Sequence, residues 1–209
     1  DQLATEGISG LVEPVGPGIT PGSGPGHLGI FGYDPLAFEL GRGALSAAGL
    51  DFALQPGDVA ARGNLCTLDG SGAIVDRRAG RIPDAEARAV VEKLAAGVRL
   101  AGTEVHFRHE REHRVLVVLR GEGLDPRVSE TDPQATGVAP LEPAPLDPAA
   151  KRTAELLTAL DEQTRAILAA EPKANGLLLR GFDTHRELPG FIERYGLRAA
   201  AIAIYPMYR

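Results

Sequence analysis

The chain has 209 residues, of which 44% are hydrophobic and 24% are charged, and its formal net charge is −6. This length is enough for one large domain or two small ones with a hydrophobic core. The negative charge argues against nucleic acid or an anionic membrane as a partner, and no apolar run approaches the roughly 20 residues that span a bilayer. A single cysteine, Cys66, excludes an internal disulfide. We therefore expect a cytoplasmic protein.

The first 50 residues contain an unusual run of glycine and proline at 16–27. The apolar stretch 11–15 before it predicts a short buried strand, and residues 25–31 predict the start of a helix with Ser23 near its N-terminal end. Glycines leave backbone N–H groups accessible, and such groups at a helix start attract anions. Such a loop lets a large charged group approach the Ser23 hydroxyl, although a surface loop rich in turn-forming residues has the same composition.

The rest of the chain alternates predicted strands with predicted helices, which is typical of an α/β or α+β fold. Residues 121–148 show no sustained hydrophobic period, so we expect a long functional or mobile loop there. The predicted strands are 59–68, 73–76, 105–108, 115–119, 175–180 and 199–205, and the predicted helices are 83–98 and 149–170.

Three arginines, Arg77, Arg78 and Arg81, lie within six residues at the end of a predicted hairpin strand. Charges of one sign this close repel each other unless an anion compensates them. Because arginine binds phosphate and carboxylate through two parallel hydrogen bonds, the cluster favours a phosphorylated acid as ligand. The alternative is a solvated turn that Asp76 partly neutralises.

Residues 109–113 read His-Glu-Arg-Glu-His, which matches the H-E-x-x-H signature of zinc metalloproteases. The signature works only on a helix, where positions i and i+4 share one face. The flanking residues predict strands on both sides, so the two histidines would point apart. We interpret the match as accidental.

Several motifs, in order along nearly the whole chain, carry a resemblance to one family. Residues 10–27 read Gly-Leu-Val-Glu-Pro-Val-Gly-Pro-Gly-Ile-Thr-Pro-Gly-Ser-Gly-Pro-Gly-His, and further matches lie at 31–35, 41–43, 57–64, 76–81, 119–124, 131–133, 179–181 and 204–209. The chain resembles the archaeal type of cofactor-independent phosphoglycerate mutase, in the alkaline phosphatase superfamily. The resemblance implies an α/β fold with an α+β cap: residues 1–50 form part of a phosphatase-like core, 51–195 an inserted substrate-binding cap, and 196–209 a strand returning to the core.

The resemblance also implies an activity, the glycolytic interconversion of 3-phosphoglycerate and 2-phosphoglycerate through a phosphoserine on Ser23. Two divalent metal ions (Mn²⁺, Zn²⁺ or Mg²⁺) would hold that serine, with His27 catalytic or structural beside it. The implied substrate ligands are Arg77, Arg78, Arg81, His113 and Arg114. Asp132 would bind substrate or cap a turn, in a motif where Glu130 departs from the family's aspartate. The implied partner is a small phosphoglycerate, and self-association stays open.

Two parts of the family pattern are not found in this sequence. The Asp-Gly that supplies the first metal ligand would precede residue 1, and the His and Asp ligands would follow residue 209. We therefore expect a fragment that binds the metals incompletely and is inactive alone. Two alternatives stay open: a phosphate-ligand-binding domain without turnover, and a metal-dependent phosphatase or another phosphomutase of the superfamily.

Overall fold

The structure is a computed structural model that describes residues 2–19, 21–38 and 40–200, except for the side chains of Leu3, Ala4 and Ser23. Backbone contacts divide the chain into two compact units, Asp1–Leu40 and Gly41–Arg209. Within the described ranges, no helix has both the length and the apolar character needed to cross a membrane.

The first unit contains helices α1 (Gln2–Glu6) and α2 (Ser23–Ile30). The predicted helix start near Ser23 is confirmed, because α2 begins at that residue with Gly22 as its N-cap. Gly29 allows the preceding chain to pack against α2, since a Cβ there would lie 1.6 Å from the carbonyl oxygen of Pro14.

The predicted buried strand at 11–15 is wrong. Leu11 and Val12 are exposed, and the described residues of this segment form neither helix nor strand. A strand needs a neighbour for its backbone hydrogen bonds, and Pro14 has no N–H to donate to one. The apolar composition of the segment was therefore a misleading signal.

The second unit consists of strands that alternate with helices. Its elements are α3 (Arg42–Gly49), β1 (Val59–Leu68), β2 (Ile74–Asp76), α4 (Asp84–Gly97), β3 (Glu104–Arg111), β4 (Arg114–Arg120), α5 (Lys151–Leu168), β5 (Gly176–Asp183) and α6 (Phe191–Tyr195). These bounds confirm the predicted strands between 59 and 180, both predicted long helices and the absence of regular elements over most of 121–148. The predicted strand at 199–205 falls almost entirely outside the described residues.

The strands form one antiparallel sheet in the order β3-β4-β1-β5, and β2 pairs with the far end of β1. On β1, Arg62 lies opposite Leu116 of β4 and opposite Arg180 of β5. Two positions further, Asn64 lies opposite Arg114 of β4. This register places three arginines and one asparagine on adjoining positions of β4, β1 and β5.

The two faces of the sheet differ because successive side chains of a strand point to opposite sides. One face, with Leu65, Val117 and Leu179 among its members, packs against α4 and α5 in the main hydrophobic core. On the other face, α3 covers a smaller cluster in which Ala47 packs with Leu116 and Val118. Polar side chains on the remainder of that second face line a cleft.

Helix α3 has no counterpart among the predicted elements, because it is short and rich in glycine and alanine. It packs very closely on the sheet: a Cβ on Gly43 would lie 2.1 Å from the carbonyl oxygen of Ala60. Gly41, which precedes the helix, donates its backbone N–H to Asp183 Oδ2 at 2.7 Å. The start of α3 is thus fixed between β1 and β5.

Candidate anion-binding site

The second unit contains a polar cleft of about 320 Å³. Its lining residues come from the sheet, from the turn between β3 and β4, from the first turn of α3 and from the loops that follow β2 and residue 131. Ten side chains line it: Arg42, Arg62, Asn64, Arg77, Arg78, Arg81, His113, Arg114, Gln134 and Arg180. Seven of the ten are arginines, so the cleft is strongly positive in a chain whose net charge is negative.

The sheet contributes arginines that lie next to one another across strands. Arg62 and Arg180 are directly opposite in the pairing of β1 with β5, an arrangement that is unfavourable for like charges. Burial of Arg62, together with repulsion from Arg42, lowers the pKa of its guanidinium to about 10. An anion in the cleft would relieve this repulsion.

The loop after β2 presents the three clustered arginines from a strained backbone. Ala79 and Arg81 have φ of 47° and 52°, which few residues other than glycine adopt, with Gly80 between them at 63°. The Asp76 carboxylate stabilises this turn by accepting the backbone N–H groups of Arg78 and Gly80, each at 2.7 Å. Asp76 therefore holds the loop backbone, and Arg77, Arg78 and Arg81 all line the cleft.

Asp132 orients one of these arginines from behind. Its carboxylate accepts hydrogen bonds from Arg77 Nε at 2.9 Å and Nη2 at 2.6 Å, and Arg180 Nη1 lies 3.6 Å from Oδ2. The same side chain caps a turn by accepting the backbone N–H of Gln134 at 2.9 Å. Burial raises the pKa of Asp132, but the hydrogen bonds from Arg77 and Gln134 outweigh it and the pKa falls below its ordinary value. Asp132 is fully buried and lies outside the cleft lining.

His113 and Asn64 are the buried neutral groups of the cleft. His113 is 2% exposed, and burial, with the charges of Arg114 and Arg81, lowers its pKa to about 4, so the ring is neutral near pH 7. Asn64 is 6% exposed. Among the described residues, neither His113 Nδ1 nor Asn64 Oδ1 has a hydrogen-bond partner.

The H-E-x-x-H string crosses the hairpin between β3 and β4, as its flanks predicted. His109 lies in β3 with Nε2 3.0 Å from the carbonyl oxygen of Glu112, and the turn has φ of 49° at Glu112. The string is therefore not on the helix that a zinc-protease site requires.

The residues predicted for phosphoryl transfer lie in the first unit. Ser23 is the first residue of α2, and its side chain is outside the described part of the structure. The exposed ring of His27 lies 6.4 Å from the ring of Phe31. The described residues contain no group of three or more His, Cys, Asp or Glu side chains that fits a metal ion.

Sequence reasoning identified the loop arginines, His113 and Arg114 but missed Arg42, Arg62, Asn64, Gln134 and Arg180. A signal for two of these was present, because Arg62 and Asn64 are polar residues at alternate positions of a strand that is otherwise largely apolar. Arg180 and Arg42 gave no such signal. The pairing of β5 with β1 brings Arg180 to the cleft, and the packing of α3 on the sheet brings Arg42 there.

The sheet, α3 and the strained loop together bring seven arginine side chains and three neutral polar side chains to one cleft. A family model described as 2,3-bisphosphoglycerate-independent phosphoglycerate mutase matches residues 4–174. The chain belongs to this family.

Individual relatives agree with this assignment. Two proteins named probable 2,3-bisphosphoglycerate-independent phosphoglycerate mutase, one from Thermus thermophilus and one from Deinococcus radiodurans, are 54% and 47% identical over 100% of this chain and 52% of their own length. The structure of a cofactor-independent phosphoglycerate mutase from Thermoplasma acidophilum is 30% identical with a TM-score of 0.67, over 87% of this chain and 52% of that one. The chain thus spans about half the length of the relatives it matches.

Proposed function

We propose that the complete protein interconverts 3-phosphoglycerate and 2-phosphoglycerate, and that this chain supplies the cleft that binds the phosphorylated acid. The observation that carries the proposal is the cleft with seven arginines. Phosphoglycerate carries a phosphate at one end and a carboxylate at the other, and both suit the planar fork of arginine. The buried neutral side chains, Asn64 and His113, suit the uncharged hydroxyl that phosphoglycerate carries in addition to its two anionic groups.

The roles proposed for the segments of the chain and for the cleft residues follow the family resemblance. Residues 1–50 would form part of a phosphatase-like core, 51–195 the substrate-binding cap and 196–209 a strand returning to the core. Arg77, Arg78, Arg81, His113 and Arg114 would bind and orient the substrate, while Asp132 would hold Arg77 in place. The setting would be cytoplasmic glycolysis.

Ser23 is the proposed nucleophile. In the first transfer the P–O bond to one substrate oxygen breaks as the bond from phosphorus to Ser23 Oγ forms, and the Ser23 hydroxyl proton passes to the released substrate oxygen. In the second transfer the bond from phosphorus to Oγ breaks as phosphorus bonds to the other substrate oxygen, and the proton of that hydroxyl passes to Oγ. Ser23 begins helix α2, and the first N–H groups of a helix favour a nearby anion. Family members would use two divalent ions (Mn²⁺, Zn²⁺ or Mg²⁺), but no group of three or more His, Cys, Asp or Glu side chains among the described residues fits such an ion.

Isothermal titration calorimetry of this chain with 3-phosphoglycerate tests the cleft. Replacing Arg77, Arg78 and Arg81 together with alanine should abolish binding, because three donors to the anionic groups are lost. A control triple variant of the exposed residues Arg88, Lys151 and Arg152 removes the same charge from α4 and α5 and should bind normally. Equal binding by both triple variants, or no binding by the unaltered chain, would refute the assignment.

The nucleophile is tested in the complete protein. Ser23→Ala should abolish interconversion of the two phosphoglycerates while calorimetric binding of 3-phosphoglycerate persists. Full turnover by the alanine variant would exclude the phosphoserine route. The 209-residue chain alone, assayed with added Mn²⁺, should show no turnover.

A further inference from the structure

The cleft has an excess of hydrogen-bond donors over acceptors. A guanidinium group only donates, so among the described lining residues acceptor atoms come from Asn64, His113 and Gln134. Gln134 is exposed to water, whereas Asn64 and His113 are more than nine-tenths buried. Two nearby carboxylates are engaged, since Asp132 binds Arg77 and Asp76 accepts hydrogen bonds from the loop backbone.

Asn64 lines the cleft, and its buried amide oxygen has no donor among the described residues. The residue is fixed in the middle of β1, with Arg114 of β4 on one side and Leu178 of β5 on the other. Its Oδ1 is buried and has no hydrogen-bond partner within the described residues. A buried acceptor left unpaired costs about 1–3 kcal/mol, so this arrangement is favourable only when something else supplies the donor.

A ligand bound in the cleft can supply the missing donor, and the charges of the cleft restrict the chemistry of that ligand. The carboxylate of the proposed substrate and most oxygens of its phosphate carry no proton near pH 7, so they pair with arginines rather than with Asn64. The one uncharged donor of phosphoglycerate is its free hydroxyl. An amide accepts from that hydroxyl without adding negative charge, so it leaves the attraction for the two anionic groups intact.

We propose that Asn64 determines specificity by accepting a hydrogen bond from the free hydroxyl of the bound acid phosphate. This inference rests on the proposed function and adds to it a residue that distinguishes a phosphorylated hydroxy acid from the same acid without its hydroxyl. His113, which is neutral and adjacent to Asn64 across the β1–β4 pairing, lines the same part of the cleft: its backbone carbonyl accepts the N–H of Leu65 at 2.8 Å.

The test compares 3-phosphoglycerate with 3-phosphonooxypropionate, which keeps both anionic groups and lacks the hydroxyl. Calorimetry on the unaltered chain should show about tenfold tighter binding of the hydroxylated ligand, the value of one hydrogen bond. In Asn64→Leu, which has nearly the same volume but no acceptor, the preference should fall to less than about twofold. Asn64→Ala should behave in the same way and serves if the leucine variant does not fold.

The ratio of the two affinities separates specificity from structure. If Asn64 only stabilised the cleft, its replacement would weaken both ligands equally and leave the tenfold ratio, and that result would overturn the inference. Equal binding of both ligands by the unaltered chain would also overturn it, with the proposed function left standing. Failure of the unaltered chain to bind either ligand would overturn the proposed function and the inference together. Inorganic phosphate, which contains no alcohol, should bind the unaltered chain and Asn64→Leu alike.

Discussion

Replacing Gly43 with alanine should destabilise the second unit and weaken ligand binding at the same time. Gly43 is the second residue of α3, and its added Cβ would lie 2.1 Å from the carbonyl oxygen of Ala60 and 2.7 Å from the backbone nitrogen of Ala61. Ala60 cannot yield, because β1 is paired there with Val118 of β4 and Asp183 of β5. The helix must therefore move outward by about 1 Å.

The expected magnitude follows from two opposing effects. Glycine to alanine in an unobstructed helix gains up to about 1 kcal/mol, whereas overpacking of a close contact costs about 1–3 kcal/mol or more. The shift of α3 also loosens the packing of Ala47 on Leu116, so we expect a net loss of about 2 kcal/mol in the free energy of unfolding. Arg42, the preceding residue, would move with the helix. It would then lose the charge-assisted hydrogen bond that we expect it to donate to the ligand, which should weaken 3-phosphoglycerate binding by about tenfold.

Urea unfolding followed by circular dichroism measures the first effect, and calorimetry measures the second. Gly70→Ala is the matched control, because the space around Gly70 is open and its φ is ordinary for any residue. The control should stay within about 0.5 kcal/mol of the unaltered chain. A Gly43→Ala variant with unaltered stability and affinity would refute the close packing of α3 on β1 and the role of that packing in positioning Arg42.

Three further predictions concern buried ionisable groups. The pKa of His113 falls to about 4 in the folded chain, against the ordinary 6.5, so the neutral ring contributes its full stabilisation above pH 6.5. The free energy of unfolding should therefore decline by about 3 kcal/mol as the pH falls to 4. His113→Gln should flatten this part of the stability profile, and an unchanged slope in the variant would contradict the prediction. Asp132→Asn should cost about 2 kcal/mol and weaken 3-phosphoglycerate binding through Arg77, whereas Glu171→Gln, which breaks the more exposed pair with Lys93, should cost less than about 1 kcal/mol. Burial raises the pKa of the Cys66 thiol to about 12, so a thiol reagent should label Cys66 only when the chain unfolds. Rapid labelling of the native chain would contradict this, because it would show that the thiol near the end of β1 is accessible to the reagent.

The elements with a strong hydrophobic period could be predicted from the amino-acid sequence. The helix beginning at Asp84, the helix over Lys151–Leu168 and the strand pair around 104–120 were all predictable, because side-chain period is a local property of the chain. Local chemistry also identified the arginine loop and excluded a helix for the H-E-x-x-H string. The apolar stretch at 11–15 misled, since a strand depends on a neighbour that local composition does not reveal.

Which side chains share the cleft depends on how the strands and α3 pack together, and local sequence patterns do not reveal that packing. Arg62 and Arg180 are far apart in the chain and meet because β1 and β5 pair in one particular register, and a slip of one residue would turn Arg62 to the other face. Arg42 reaches the cleft because Gly43 lets a short helix rest directly on β1. The same holds for Asn64, because only the folded structure shows whether the side-chain oxygen of a polar residue in a strand has a hydrogen-bond donor.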